Sequence, residues 1–288
     1  MTNNALEIKN LDGSIGKFSL CDINFSVEKG TIMGFIGRNG SGKPTLIKTI
    51  LNMIPKTSGK VLFDGTPMYG NEETVKAKIG VVFDSLIYPL NLKPNRIKNM
   101  ISPFYKTFDP IRFDELMSRF ELDPSKKLSA YSKGMQMKFG VVMALCHNPE
   151  LIILDEPTAG LDPIARADVI DLLLELMQKE ERSILFSTHI TSDLEKIADY
   201  ITMIDNGKIV FSKEKDEMLD MYVLAHIDRD DMTNAIKSEL IGIKQTTFGY
   251  EGLCTKNLKL QNILGVKTAR PTIEDIMIYM GGKNERSA

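Results

Sequence analysis

The chain has 288 residues, 43% hydrophobic and 26% charged, enough apolar text for a sizeable core in one large domain or two modest ones, and too much for a disordered chain. Thirty-six Lys and Arg against 38 Asp and Glu give a formal net charge of −2, which supplies no whole-molecule attraction to nucleic acid or anionic lipid. Nothing approaches the run of about 18 apolar residues that spans a bilayer, and MTNNALEIKN has no basic stretch leading into an apolar one, so neither a membrane span nor a signal peptide is expected.

In chain order, Leu6 and Ile8 alternate with Glu7 and Lys9, and Ile23, Phe25 and Val27 with polar neighbours, the period of half-buried strands. Gly30 ends that run, and residues 31–36 read as a buried strand feeding a glycine-rich turn. Leu46, Ile47, Ile50, Leu51 and Ile54 then have helical spacing. Around residues 87–135, Pro89, Pro94, Pro103 and Pro110 interrupt polar, helix-like text, which reads as a helical insertion between strands. Residues 151–154 and 184–186 are wholly apolar, the signature of strands buried on both faces of a parallel sheet; residues 164–177 between them read as a helix. Within 201–211, Asn206-Gly207 between two apolar runs is a strong hairpin signal.

Beyond about residue 215 the text changes. Residues 222–227 read as a strand, Met232, Ala235, Ile236 and Leu240 share helical spacing, and a β-like stretch holds Phe248 and Tyr250. PTIEDIMIYMGG reads as a capped helix, with Thr272 as N-cap, Ile273, Ile276, Met277 and Met280 as one stripe, and Gly281-Gly282 as the stop. That stripe is expected to pack on the chain's own body. Cys21, Cys146 and Cys254 are odd in number and far apart, which argues against a disulfide framework or zinc cluster and for the reduced thiols of a cytosolic protein.

The chemistry concentrates in three places. Gly37, Arg38, Asn39, Gly40, Ser41, Gly42 and Lys43 lie between a strand and a helix; glycines let backbone N–H groups converge on phosphate, the helix start adds positive potential, and Lys43 supplies a charge. Asp155 and Glu156 end the apolar run 151–154, where a carboxylate beside a phosphate loop serves as a Mg²⁺ ligand and its neighbour as a base for water. Taken alone, the two acids read rather as a solvated strand end. His189 ends another buried run and taken alone reads as structural; its weight comes from lying where parallel strand ends converge on a ligand crevice.

In that order these residues resemble the nucleotide-binding subunit of ABC transporters over about residues 1–212. The sequence has the phosphate loop through Thr45, a glutamine-loop position at Asp84, Tyr131-Ser132-Lys133-Gly134-Met135-Gln136 at the signature, Asp155-Glu156-Pro157, Ala159-Gly160-Leu161-Asp162 at the D-loop, and His189 at the switch histidine. The resemblance implies an α/β fold: a P-loop NTPase core with a mostly parallel sheet, an N-terminal antiparallel β-subdomain, a helical insertion and a small C-terminal α+β extension at residues 213–288. It implies ATP and Mg²⁺ as cofactors, with ATP held between the phosphate loop of one domain and the signature of another. Ser132 and Gly134 would bind the γ-phosphate across that interface, Asp162 would touch the partner, and His189 would sense the same phosphate. The implied partners are a second nucleotide-binding domain and an integral membrane permease docking near residues 85–105. The implied location is cytoplasmic, at the inner face of the cell membrane, and no nucleic acid partner is expected.

Three departures stand out. Pro44 replaces the Ser or Thr whose hydroxyl coordinates Mg²⁺; it also lacks the N–H that faces phosphate and biases Lys43 away from the helical region. Thr45 carries a hydroxyl one position on, facing a different way. Asp84 stands where the family has Gln and remains able to reach Mg²⁺ through a water. Tyr131, Lys133 and Met135 depart from the signature consensus while Ser132 and Gly134 remain. The adenine-stacking aromatic is expected near Ser14-Ile15, where there is none, and Phe18 reads as strand core. Three readings follow: an ATP-hydrolysing subunit of an exporter of peptides, antibiotics or lipophilic drugs, suggested by the PTIEDIMIYM ending; a catalytically impaired, nucleotide-responsive subunit paired with an active sister; and, least favoured, a soluble ABC protein acting on ribosomes or DNA.

Overall fold

The structure, a computed structural model, describes residues 3–180, 182–256 and 266–281. Two long strands, β1 (Asn4–Ile15) and β2 (Phe18–Glu28), pair antiparallel. With β4 (Lys56–Phe63) and β5 (Thr66–Pro67) they form a sheet in the order β2-β1-β4-β5. Between them, β3 (Ile32–Ile36) enters the phosphate loop and α1 (Lys43–Ile50) leaves it. The sequence stripe runs on to Ile54, but α1 stops at Ile50 and Asn52 turns the chain with φ 50°.

The central sheet has the order β10-β9-β3-β8-β7-β6, with β6 (Ile79–Val82), β7 (Leu151–Asp155), β8 (Ser183–Ser187) and β9 (Tyr200–Asp205) parallel to β3. Every residue of β3, β7 and β8 is buried, which is why these runs are apolar without alternation. Only β10 (Lys208–Glu214) is antiparallel, returning from β9 through Asn206 and Gly207 at φ 46° and 73°. Positive φ at both turn residues is what a two-residue hairpin requires.

Between β6 and β7 the insertion supplies α3 (Pro94–Ile101) and α4 (Pro110–Arg119), after the short α2 (Glu72–Lys76), and leads into α5 (Lys133–Leu145). Helices α6 (Pro163–Glu180) and α7 (Thr191–Ile197) follow β7 and β8. After α8 (Lys215–Met221), the tail builds a third sheet, order β12-β13-β11-β14, from β11 (Tyr222–Asp228), β12 (Gly242–Gln245), β13 (Gly249–Thr255) and β14 (Val266–Ala269). Helix α9 (Asn234–Glu239) takes only the middle of its expected stripe, and Phe248 lies in the β12–β13 turn, 87% exposed, rather than in a strand.

The last helix, α10 (Ile273–Gly281), has a reciprocal cap: Thr272 N–H donates to Asp275 Oδ2 at 2.8 Å, and Asp275 N–H to Thr272 Oγ1 at 3.1 Å. Ile273, Ile276, Tyr279 and Gly281 are its buried residues, whereas Met277 and Met280 are half-buried; Gly282 lies outside the described residues. The same apolar cluster runs from Phe113 and Phe139 in the insertion, past Leu194 and Met203, to Ile276. The tail therefore shares a core with the central sheet.

Candidate functional site

The phosphate loop lies at the C-terminal end of β3. Gly37 is buried, and Arg38, Asn39 and Gly40 form an exposed rim. Gly42 has φ 112°, and a methyl there would sit 2.5 Å from Phe18 Cζ, so conformation and space both demand glycine. Phe18, half-buried at the start of β2, packs on the edge of the core as expected of a strand residue and also flanks the loop. The β1–β2 turn at residues 16–17 starts β2 directly beneath the loop.

Helix α1 begins at Lys43 despite Pro44, its first ladder bond running from Leu46 N–H to Gly42 C=O at 2.8 Å. This corrects the expectation that Pro44 drives Lys43 out of the helix: in a first turn the missing N–H has no intrahelical partner to lose, and proline's fixed φ suits the position. Pro44 is exposed and Thr45 half-buried. Lys43 is 4% exposed; its Nζ donates to Gly37 O at 2.6 Å and Arg38 O at 3.5 Å and lies 3.7 Å from Glu156 Oε1. Burial holds its pKa below the ordinary lysine value, against the opposing pull of Glu156 and Asp155. Ser41 Oγ is buried with no hydrogen-bond partner among the described residues.

Asp155 ends β7, 2% exposed, and accepts a 3.0 Å bond from Ser187 Oγ on β8. Burial pushes its pKa up, reinforced by the negative charges of Asp84 and Glu156 and opposed by Ser187 and Lys43. Asp84 is exposed just beyond β6 and accepts from Ser85 Oγ at 3.3 Å. The pairing of Val82 with Leu154 brings it level with Glu156 on the neighbouring strand. Glu156 has φ 53°, a left-handed conformation that costs a non-glycine residue about 1–2 kcal/mol. Its N–H donates to Ser187 O at 2.8 Å, its carbonyl accepts from Ala159 N–H at 3.1 Å, and its Oε2 accepts from the His189 backbone at 3.2 Å and meets His189 Nδ1 at 2.7 Å. One carboxylate thus faces the Lys43 ammonium with one oxygen and an exposed imidazole with the other.

Ser132, Gly134 and Asp162 gather in a second group. Ser132 caps α5, its Oγ accepting from Met135 N–H at 3.2 Å. Asp162 is exposed and accepts from Ile164 and Ala165 N–H at 3.0 and 2.9 Å; these bonds, Ala165 first, hold its pKa below the usual carboxylate value. A methyl on Gly134 would touch Leu161 and Ala165, and one on Gly160 would touch Lys133 Nζ, so the segment at 132–136 packs on that at 160–165. Sequence reasoning missed Ser187, which anchors Asp155, and Thr158, Arg166 and Asp193, discussed below. Thr158 falls between two quoted motifs and belongs to neither; Asp193 gave no signal, as one acid in a short helical text.

Comparison with known proteins decides the family. A family description reading "ABC transporter" matches residues 20–159. The ATP-binding protein YtrB of Bacillus subtilis (strain 168) is 30% identical over 240 residues, 82% of this chain and 81% of its own. The lantibiotic transport ATP-binding protein SrtF of Streptococcus pyogenes is 33% identical over 216 residues, 73% of this chain and 91% of its own. The chain belongs to the ABC transporter family. A solved ATP-binding subunit of an ABC transporter superposes with a TM-score of 0.68 at 28% identity, covering 74% of this chain and 91% of its own. The chain is thus an ATP-binding subunit of an ABC transporter, in a family whose ATP-binding domains hydrolyse ATP and work as dimers with membrane subunits.

This ABC subunit's loop suits a triphosphate. The orphaned Ser41 hydroxyl and the Lys43 ammonium, bonded only to carbonyls at hydrogen-bond distance, are unspent donors at a helix start. A divalent cation suits Asp155, whose charge is raised in energy by burial and by two neighbouring acids. No group of three or more His, Cys, Asp or Glu among the described residues is arranged to hold a metal, so such an ion needs phosphate oxygens as ligands, the usual mode for Mg²⁺.

Proposed function

We propose that this subunit binds Mg-ATP at the phosphate loop and hydrolyses it through Glu156, driving a separate permease, and that the transporter is an exporter. The observation that carries the catalytic part is Glu156, fixed with one oxygen 3.7 Å from Lys43 Nζ and the other 2.7 Å from His189 Nδ1. In this reading the backbone N–H groups of residues 37–43 and Thr45 cradle the phosphates, and Lys43 exchanges its carbonyl partners for phosphate oxygens. Asp155 would hold Mg²⁺, and Asp84 would be able to reach it through a water. Mg²⁺, when bound, neutralises charge on the transferring phosphoryl group. Glu156 takes the proton of the attacking water, and His189, exposed beside it, donates to the γ-phosphate and holds the carboxylate in place.

The second half of the site comes from another nucleotide-binding domain. Ser132 and the N–H of Gly134, at the start of α5, meet the γ-phosphate across the interface, and Asp162 meets the partner. Closure on ATP and reopening after hydrolysis follow from the nucleotide's preference for the closed pair. In this reading the permease docks at the ≈ 420 Å³ groove lined by Asp84, Leu86, Ile87, Tyr88 and Lys133, and the subunit works at the inner face of the membrane. No described helix is long and apolar enough to cross it. SrtF is named for lantibiotic transport, so a peptide antibiotic is the class of substrate we favour, with export as the direction and residues 213–288 as an accessory unit. A second reading, a slowed subunit paired with an active sister, has one observation in its favour: an exposed proline where the metal-binding hydroxyl belongs.

Light scattering tests the pairing. With Pro44→Ser and Glu156→Gln both in place, so that bound ATP is not consumed, Mg-ATP should double the mass of the full chain, Ser132→Arg should prevent it, and ADP should not produce it. A monomer under all conditions contradicts a self-paired sandwich and favours the heterodimer reading.

A further inference from the structure

Three segments that carry the proposed site meet at one buried carboxylate. Asp193, in the first turn of α7, is 1% exposed. Its Oδ2 accepts a 2.8 Å bond from Thr158 Oγ1, itself fully buried, and its Oδ1 lies 3.8 Å from Arg166 NH1. Arg166 Nε is buried without a hydrogen-bond partner among the described residues. In sequence, Thr158 lies between Glu156 and Asp162, Arg166 lies one helical turn after Asp162 on α6, and Asp193 follows His189 by the same interval.

A carboxylate is kept away from water only where it is paired, and no step of the proposed reaction uses this one. Glu156, by contrast, needs support. Its φ of 53° persists only if the surroundings over-determine it. Upstream, the Glu156 N–H bond to Ser187 ties it to the sheet. Downstream, the next fixed side chain is Thr158, held by Asp193. Released at Thr158, the loop is free to relax toward negative φ, which would swing the carboxylate away from Lys43 and His189.

We infer that Asp193 is a positioning residue: with Thr158 and Arg166 it clamps the loop carrying Glu156 and Asp162 to the helix that follows His189, and so holds Glu156 in its left-handed conformation. The clamp is a statement about geometry; its effect on turnover rests on the ATP-hydrolysis reading above.

The test uses the full chain, first without nucleotide, by amide hydrogen exchange read peptide by peptide. Thr158→Val keeps the shape and removes the hydroxyl; Thr158→Ser keeps the hydroxyl. In Thr158→Val, exchange over residues 156–162 and 189–193 should rise about tenfold or more, with β7 and α10 unchanged, and Thr158→Ser should match the parent. Should Thr158→Val fail to fold, Asp193→Asn, which keeps one acceptor but loses the charge opposite Arg166, should show the same local rise. In chains that also carry Pro44→Ser, Thr158→Val should lower kcat about tenfold or more with KM for ATP within about twofold, and Thr158→Ser should restore it. Unchanged exchange in the loop, or an equal rise throughout the chain, overturns the clamp. So does a KM that rises while kcat holds. If the Pro44→Ser parent hydrolyses no ATP, the hydrolysis reading fails, and the exchange pattern alone decides the clamp.

Discussion

Replacing Pro44 by Ser restores the metal ligand and one backbone N–H while leaving the rest of the loop in place. Pro44 is exposed on the second residue of a helix whose ladder starts normally at Gly42. The substitution therefore disturbs no packing, and stability should move by no more than about 0.5 kcal/mol. The serine restores a hydroxyl for Mg²⁺ and an N–H for phosphate. One hydrogen bond to a charged group is worth about 1.5–3 kcal/mol, or about 10- to 150-fold in affinity. Calorimetry with ATP, with Mg²⁺ and then with EDTA, reads this directly. Pro44→Ser should tighten Mg-ATP binding by at least that factor, the hydroxyl adding to the N–H, and metal-free ATP by clearly less, since only the N–H contributes there. Equal affinity of the two proteins for Mg-ATP would refute the reasoning and mean that the loop recruits the metal without this hydroxyl.

Other outcomes follow from the same geometry. In the Pro44→Ser chain, Glu156→Gln should keep ATP affinity within a few-fold and lower turnover by about 10²–10⁴-fold in a phosphate-release assay, the usual worth of a general base. Asp155→Asn should raise the melting temperature of the nucleotide-free protein at neutral pH, because burial and neighbouring acids push the Asp155 pKa above its ordinary 3.8. A raised carboxyl pKa means that ionisation costs the native state more than the unfolded one. The gain from Asn should therefore shrink as pH falls through the raised value and vanish below about 3.8; a neutral-pH melting temperature unchanged by Asp155→Asn contradicts this. Gly42→Ala, forced to φ 112° with its methyl 2.5 Å from Phe18 Cζ, should weaken ATP binding at least about tenfold by calorimetry. Thr272→Ala removes the acceptor for Asp275 N–H at the α10 cap. It should cost about 1 kcal/mol, seen as a melting temperature lower by about 2–4 °C.

Much of this architecture is legible in the sequence because it is local. The apolar runs that become β7 and β8 need no alternation once helices cover both faces, and Asn206-Gly207 specifies its hairpin through positive φ alone. The phosphate loop is legible for the same reason, since its glycines, Lys43 and flanking elements are contiguous. What the sequence hides is set by distant partners. Phe18 reads as strand core and does pack there, but that its ring also meets Gly42 and Gly207 is set by the fold alone. Tyr279 is absent from the stripe read for α10, yet it is buried there, and its hydroxyl donates to Glu251 Oε1 across on β13 at 2.6 Å. The end of α1 is hidden because Ile54 continues the helical spacing beyond the turn at Asn52. The left-handed backbone of Glu156 and its downstream pin at Asp193 depend on contacts between β7, β8, α6 and α7, and no single window of sequence contains them.

The most direct measurement of the central claim is equilibrium binding of ATP to the full chain beside Lys43→Ala. Lys43 is the buried ammonium on which the phosphate site turns, held only by two loop carbonyls and the Glu156 carboxylate. The account predicts saturable, Mg²⁺-strengthened binding of one ATP per chain, lost in Lys43→Ala while the far-UV spectrum and melting behaviour still report a folded protein. Binding that survives Lys43→Ala undiminished would contradict it, because the nucleotide would then be held somewhere other than this loop.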